Sequence, residues 1–207
     1  MVLTASFALA CAAAVVPSAQ EIASPITYRS GPLPPLAAQA VGGGEVFLEV
    51  SVNAEGHVAA VTPLRTTPPF TGLVVDAVRA WTFVPGAEGH VLVAAVFRPP
   101  AIQGPTLGEL PRDVAAGSNR IPFPVSAVLP PFPPMAIATG VVLVEARVDA
   151  AGKVTDTIVT RSAPPFDDAA RTAVHLWSFR PASAAGRPIA SVVYVVLGFP
   201  LPVTASR

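Results

Sequence analysis

Charge is scarce in this 207-residue chain: 13 basic and 13 acidic residues, 13% in all, cancel to a formal net charge of zero. Lys153 is the sole lysine. A balanced chain without a basic cluster lacks the electrostatic footprint that phosphate backbones demand, so nucleic acid is excluded as a partner. Cysteine is nearly absent; with Cys11 alone no intrachain disulfide can form. Neither an H-x-x-x-H nor a C-x-x-C spacing occurs, so no metal site is written in the chain. A G-x-S-x-G elbow is missing too, and Gly42-Gly43-Gly44 precedes an apolar strand pattern instead of following one and opening a helix. Beyond the N-terminus no run is long and apolar enough to cross a bilayer; the best, 189–197, is strand-sized.

What is present is apolar material and proline. Hydrophobic residues make up 52% of the chain, enough for a core and too much for general disorder. Of the 25 prolines, 15 cluster in 17–35, 99–111 and 122–134, which read as extended connections. Residues 1–19 are uncharged and rich in Ala, Val and Leu, then break at Pro17-Ser18-Ala19-Gln20, the pattern of a secretory signal peptide lacking its basic start. An uncleaved anchor is the rival reading, since about 20 apolar residues suffice to span a bilayer. Ala8-Leu9-Ala10-Cys11 only loosely resembles a lipidation site; Cys11 is read as a small apolar residue of the signal, not as a lipid attachment point.

The chain repeats itself. Shifting it by 96 residues aligns 33–85 with 129–181 without a gap, and 20 of those 53 positions are identical. The matches include Gly56 with Gly152, Arg65 with Arg161, Pro68-Pro69-Phe70 with Pro164-Pro165-Phe166, and Trp81, Phe83 and Pro85 with Trp177, Phe179 and Pro181. One inserted residue then brings Gly89 onto Gly186 and the run from Val91 onto that from Pro188. This predicts a repeat over 33–99, a Pro/Gly-rich linker over 100–128 and a second repeat over 129–202.

Each unit reads as strand, strand, helix, strand. Val142, Val144, Ala146 and Val148 alternate with Leu143, Glu145, Arg147 and Asp149, as Val46, Leu48, Val50 and Val52 do with their neighbours, giving half-buried strands. Asn53-Ala54-Glu55-Gly56 and Asp149-Ala150-Ala151-Gly152 suit short hairpin loops. Thr71 and Asp167 are read as helix N-caps. Val74, Val78 and Trp81, like Ala170, Val174 and Trp177, form an apolar stripe. The expectation is an α+β fold of two tandem small domains, each a three-stranded antiparallel sheet with one helix packed on it. Trp81, Phe83, Trp177 and Phe179 are assigned to the core between helix and sheet, in preference to a ligand-stacking role.

The second repeat reads G-V-V-L-V-E-A-R-V-D-A-A-G-K-V, then R-S-A-P-P-F-D-D-A-A, then W-S-F-R-P-A followed by G-R-P-I. This set resembles the C-terminal domain of TonB, the periplasmic partner of outer-membrane receptors. The first repeat departs from it, with Thr71 where Asp is usual and Val84 where Arg is common. The resemblance implies a periplasmic or envelope location in a Gram-negative bacterium and an outer-membrane receptor or other envelope protein as partner. It also implies a membrane anchor and a long Pro-rich spacer. Here only about 14 residues separate the signal from the first repeat, reaching roughly 50 Å when extended, so energy transduction is not expected to be retained.

The three histidines do not cluster in sequence, and His57, His90 and His175 align with Lys153, Arg187 and Arg79, which marks them as surface residues. Asp167-Asp168 aligns with Thr71-Gly72, a capping pattern and no acid–base pair. No enzyme, cofactor or small-molecule substrate is therefore expected. The reading is a TonB-like protein-binding module associated with outer-membrane transport; the alternative is an envelope scaffold or self-associating protein with no part in energy transduction, and homodimerisation stays open. Recognition is assigned to a sheet edge that accepts a guest strand. The residues named are Val192, Val193, Tyr194, Val195, Val196 and Leu197, with burial of that strand against the other repeat as the competing arrangement.

Overall fold

The computed structural model describes residues 25–37, 43–97 and 119–201. The signal segment with Cys11, Gly42 and linker positions 100–118 lie outside the described residues. Strand β1 is Tyr28–Ser30, β2 Gly44–Val52, β3 Val58–Arg65, helix α1 Phe70–Arg79, β4 Thr82–Phe83 and β5 Gly89–Phe97. The second repeat supplies β6 Phe123–Ser126, β7 Gly140–Val148, β8 Val154–Arg161, α2 Asp167–His175, β9 Ser178–Arg180, β10 Ala182–Ala184, β11 Arg187–Ile189 and β12 Ser191–Phe199.

Local chemistry sets the turns. Asn53 and Asp149 each accept the glycine N–H on the backbone at 2.9 and 3.0 Å, and their side chains take the N–H of His57 and Lys153, at 2.8 and 2.9 Å. Gly56 and Gly152 close these loops at φ +81° and +83°, a region open to glycine at little cost. The expected N-caps behave differently. Thr71 and Asp167 lie inside the first helical turn and reach backwards, accepting the N–H of Thr67 at 2.8 Å and of Ala163 at 2.7 Å. Neither helix has a side-chain cap bond, and these two residues fasten the preceding loop.

The α+β class stands, but the sheet is not two separate three-stranded units. One six-stranded sheet runs β3-β2-β5-β12-β7-β8. Inside each repeat the strands are antiparallel; at the seam β5 and β12 are parallel, from Leu92 opposite Val193 to Phe97 opposite Gly198. Parallel pairing of two equivalent strands relates the repeats by a pseudo-two-fold along the strands, which turns one repeat over. The helices therefore cover opposite faces. Val74, Val78 and Trp81 pack with Val46, Leu48 and Val93, while Ala170, Val174 and Trp177 pack with Val142, Val144 and Val195.

Turning one repeat over makes each complete the other's core. Phe47, Leu92, Ala94 and Val96 of the first repeat belong to the cluster under α2, and Leu143, Tyr194 and Val196 of the second to the cluster under α1. At roughly 65 residues a lone repeat would bury only about 60% of its unfolded surface. Covering both faces of β5 and β12 corrects that shortage.

Two boundaries also shift. Ile121 and Ala127 are fully buried and β6 pairs with β9 as β1 pairs with β4, so 119–128 belongs to the second repeat and not to the linker. The last strands align by 102 residues, because Gly44 faces Phe97 and Gly140 faces Phe199. The β10–β11 hairpin fills the difference. Gly89 is thus equivalent to Ser191, not Gly186, and His90 to Val192, not Arg187.

Candidate functional site

Strand β12 is not an edge. Val193 through Gly198 pair with β5 on one side, and Ser191 through Phe199 pair with β7 on the other. Val193, Tyr194, Val195 and Val196 have no exposed surface, Leu197 has 1%, and Val192 is half-buried. A guest strand would find Val193 to Leu197 flanked by a paired strand on both sides, and Val192 paired with Arg147 of β7. The assignment of a peptide-accepting edge to Val192–Leu197 is corrected for that reason. Of the two arrangements weighed from sequence, burial against the other repeat is the one the fold adopts.

Among the described residues, the backbone this sheet leaves open lies at the ends of the order, on β3 and β8. Register places Val61 and Pro63 of β3 in the positions of Thr157 and Val159 of β8. Proline has no N–H, so β3 presents a broken row of donors, as edge strands that resist pairing commonly do. Strand β8 has no proline. Its Thr157 N–H donates to the Asp156 carboxylate at 2.9 Å, a local bond that an incoming carbonyl could replace. Ile158, 45% exposed, supplies an apolar contact beside it.

The aromatic residues assigned to the core are Trp81, Phe83, Trp177 and Phe179, each 4% exposed or less and lying between helix and sheet. The indole N–H of Trp81 donates to the Pro32 carbonyl at 2.8 Å, and that of Trp177 to Val128 at 2.9 Å. These bonds fasten the proline-rich lead-in of each repeat to its helix, and they satisfy the one polar atom of a buried indole.

Sequence reasoning missed two polar clusters. Tyr194 is buried beside Tyr28, Trp81 and Phe83. Its hydroxyl donates to the Ile26 carbonyl at 2.8 Å, accepts the Tyr28 N–H at 2.7 Å and lies 3.2 Å from a Glu145 carboxylate oxygen. Burial, then the nearby Glu145 charge, pushes the phenol far above its ordinary pKa, so it stays protonated. The signal was legible: 191–199 is one apolar run, and a strand apolar on both faces belongs inside a sheet.

The second cluster corrects the reading of His90 as a solvated surface residue. Its Nδ1 lies 3.0 Å from Glu49 Oε1 and its Nε2 lies 3.0 Å from Arg120 Nη1. A guanidinium can only donate, so Nε2 accepts and the proton sits on Nδ1. Each ring nitrogen thus has a charged neighbour at 3.0 Å. His57 and His175 are exposed. Arg65 pairs with the buried Glu45 at 2.8 Å and stacks over Phe47. Asp167 is held by Ser162 and Ala163, and Asp168 by Arg171. Among the described residues no group of three His, Cys, Asp or Glu could hold a metal ion. A groove of about 300 Å³ beside α2 is lined mainly by apolar residues, Val128, Leu129, Pro131, Ala169, Ala173 and Leu176, with Asp168 and Thr172 at its polar side.

Residues 129–201 match the family model described as Gram-negative bacterial TonB protein C-terminal. No curated protein matches the sequence.

Proposed function

Residues 129–201 belong to the TonB C-terminal family, and from that premise we propose that the protein is an envelope protein-binding module that takes an extended segment of its partner as an added strand along β8. The partner class is an outer-membrane receptor or another envelope protein, and the setting is the periplasm. The observation that carries this reading is the contrast between edges: β12 is sealed on both sides, β3 is interrupted by Pro63, and β8 offers Val159 and, once Asp156 lets go, Thr157. Main-chain bonds to such a strand supply affinity, and side chains flanking it supply selectivity.

The test is binding of extended peptides from outer-membrane receptors to the full chain, compared with Val159→Pro. That variant copies what β3 already has at Pro63, so the fold should survive while binding is lost. Undiminished binding by the folded variant would place recognition on another surface. A wild-type chain that instead pairs with itself through β8, seen as a dimer that Val159→Pro dissolves, would favour the self-associating scaffold.

A further inference from the structure

We propose that the seam between β5 and β12 is a lock specific for unlike repeats, with Tyr194 as the residue that sets the specificity. The two sides of the seam are built to different sizes. Facing the other repeat's core, the first repeat presents Phe47 and Leu92, and the second presents Leu143 and Tyr194 at the equivalent positions. Large and small residues thus exchange places between the two halves. Phe47 packs edge-on against Phe123, with ring centres 5.8 Å apart, and Tyr194 enters the ring of Tyr28, Trp81 and Phe83.

Hydrogen bonding makes the choice sharper. The Tyr194 hydroxyl is held by the Ile26 carbonyl and the Tyr28 N–H, both from the lead-in of the first repeat. Their equivalents in the second repeat are Pro122 and Pro124. Proline has no N–H to give. If two second repeats paired, each Tyr194 would enter a core fitted to Leu92 and find its donor missing, and a buried hydroxyl short of a partner is costly. If two first repeats paired, Leu92 would replace Tyr194, leaving the Ile26 carbonyl and Tyr28 N–H unanswered and a void against Trp81. Only the unlike pair satisfies both sides. The seam is therefore a permanent joint within one chain, and β12 is never released to a guest.

The test keeps the whole chain and cuts it after folding, at a specific protease site introduced within 100–118. Nicked protein in light and isotope-labelled forms is mixed, and native mass spectrometry counts which fragments pair. Unlike pairs should account for essentially all complexes, whether or not slow exchange mixes light fragments with heavy ones. Tyr194→Leu gives the second repeat the residue of the first at this position; it should raise the share of like pairs of second-repeat fragments by about tenfold, an outcome that weakening alone would not give. Tyr194→Phe, which keeps the ring, should speed fragment exchange without producing like pairs. Fragments that part on nicking, or wild-type second-repeat fragments that pair with one another as readily as with the first, would overturn the proposal.

Discussion

The backbone N–H of Phe179 donates to the carbonyl of Gly152 at 2.8 Å, which pins the tip of the β7–β8 hairpin to the strand that follows α2. The first repeat reproduces this contact between Phe83 and Gly56, also at 2.8 Å. So close an approach leaves no room at the glycine, where an added Cβ would collide with the Phe179 carbonyl oxygen. Gly152→Ala should therefore cost about 1–3 kcal/mol from the φ of +83° alone, with the collision adding to it. Gly72→Ala is the control of opposite sign. Gly72 is helical with open space around its Cβ, so alanine should stabilise by about 0.5–1 kcal/mol. Denaturant unfolding of the two variants reads both signs.

Trp177 is 2% exposed and holds the Val128 carbonyl through its indole N–H. Trp177→Ala should lower stability by on the order of 3–5 kcal/mol, through a cavity and an unanswered carbonyl together. Thermal unfolding measures this, and an unchanged midpoint would contradict the core role.

Both repeats were legible from sequence because their turn glycines, helix stripes and Trp-x-Phe segments are local features with fixed spacing. Their union was not, because nothing local announces which strands meet across a seam. The clue lay in polarity: β3 and β8 mix polar residues along their length, whereas β12 is apolar on both faces. A reading that weighed this would have moved Val192–Leu197 from the rim to the centre. The lead-in strand β6 was lost for a different reason, since the prolines beside Phe123 read as linker while Ile121 and Ala127 are anchored in the core. The six-residue offset in the last strands hid behind the β10–β11 hairpin, whose Gly186 imitates Gly89.

Proline scanning separates a central strand from an edge. At Val193 or Val195 it would remove a ladder bond and leave a buried acceptor unpaired, with β5 on one side and β7 on the other. A loss on the order of 3 kcal/mol or more is expected, seen as loss of the folded baseline in circular dichroism. Val159→Pro should leave that baseline intact, since register puts Val159 where β3 already accepts Pro63.

The buried phenol makes stability depend on alkaline pH. Below about pH 10 the Tyr194 proton is held in both the folded and the unfolded chain, so its contribution is fully present. Above that value the unfolded chain releases the proton while the folded one, its pKa raised by burial and by Glu145, keeps it. The unfolded state then binds fewer protons, and the free energy of unfolding must fall as pH rises, by at most about 1.4 kcal/mol per pH unit from this residue. Tyr194→Phe removes that dependence and also leaves the Tyr28 N–H and Ile26 carbonyl without their partner, at a cost of about 1–3 kcal/mol at neutral pH. Urea unfolding of both proteins between pH 8 and about 11 resolves the two effects: the curves should lie apart at neutral pH and converge as alkali rises. Curves that stay parallel would mean that the phenol ionises as easily in the fold as in the free chain, and hence that the seam is wetter than its geometry implies.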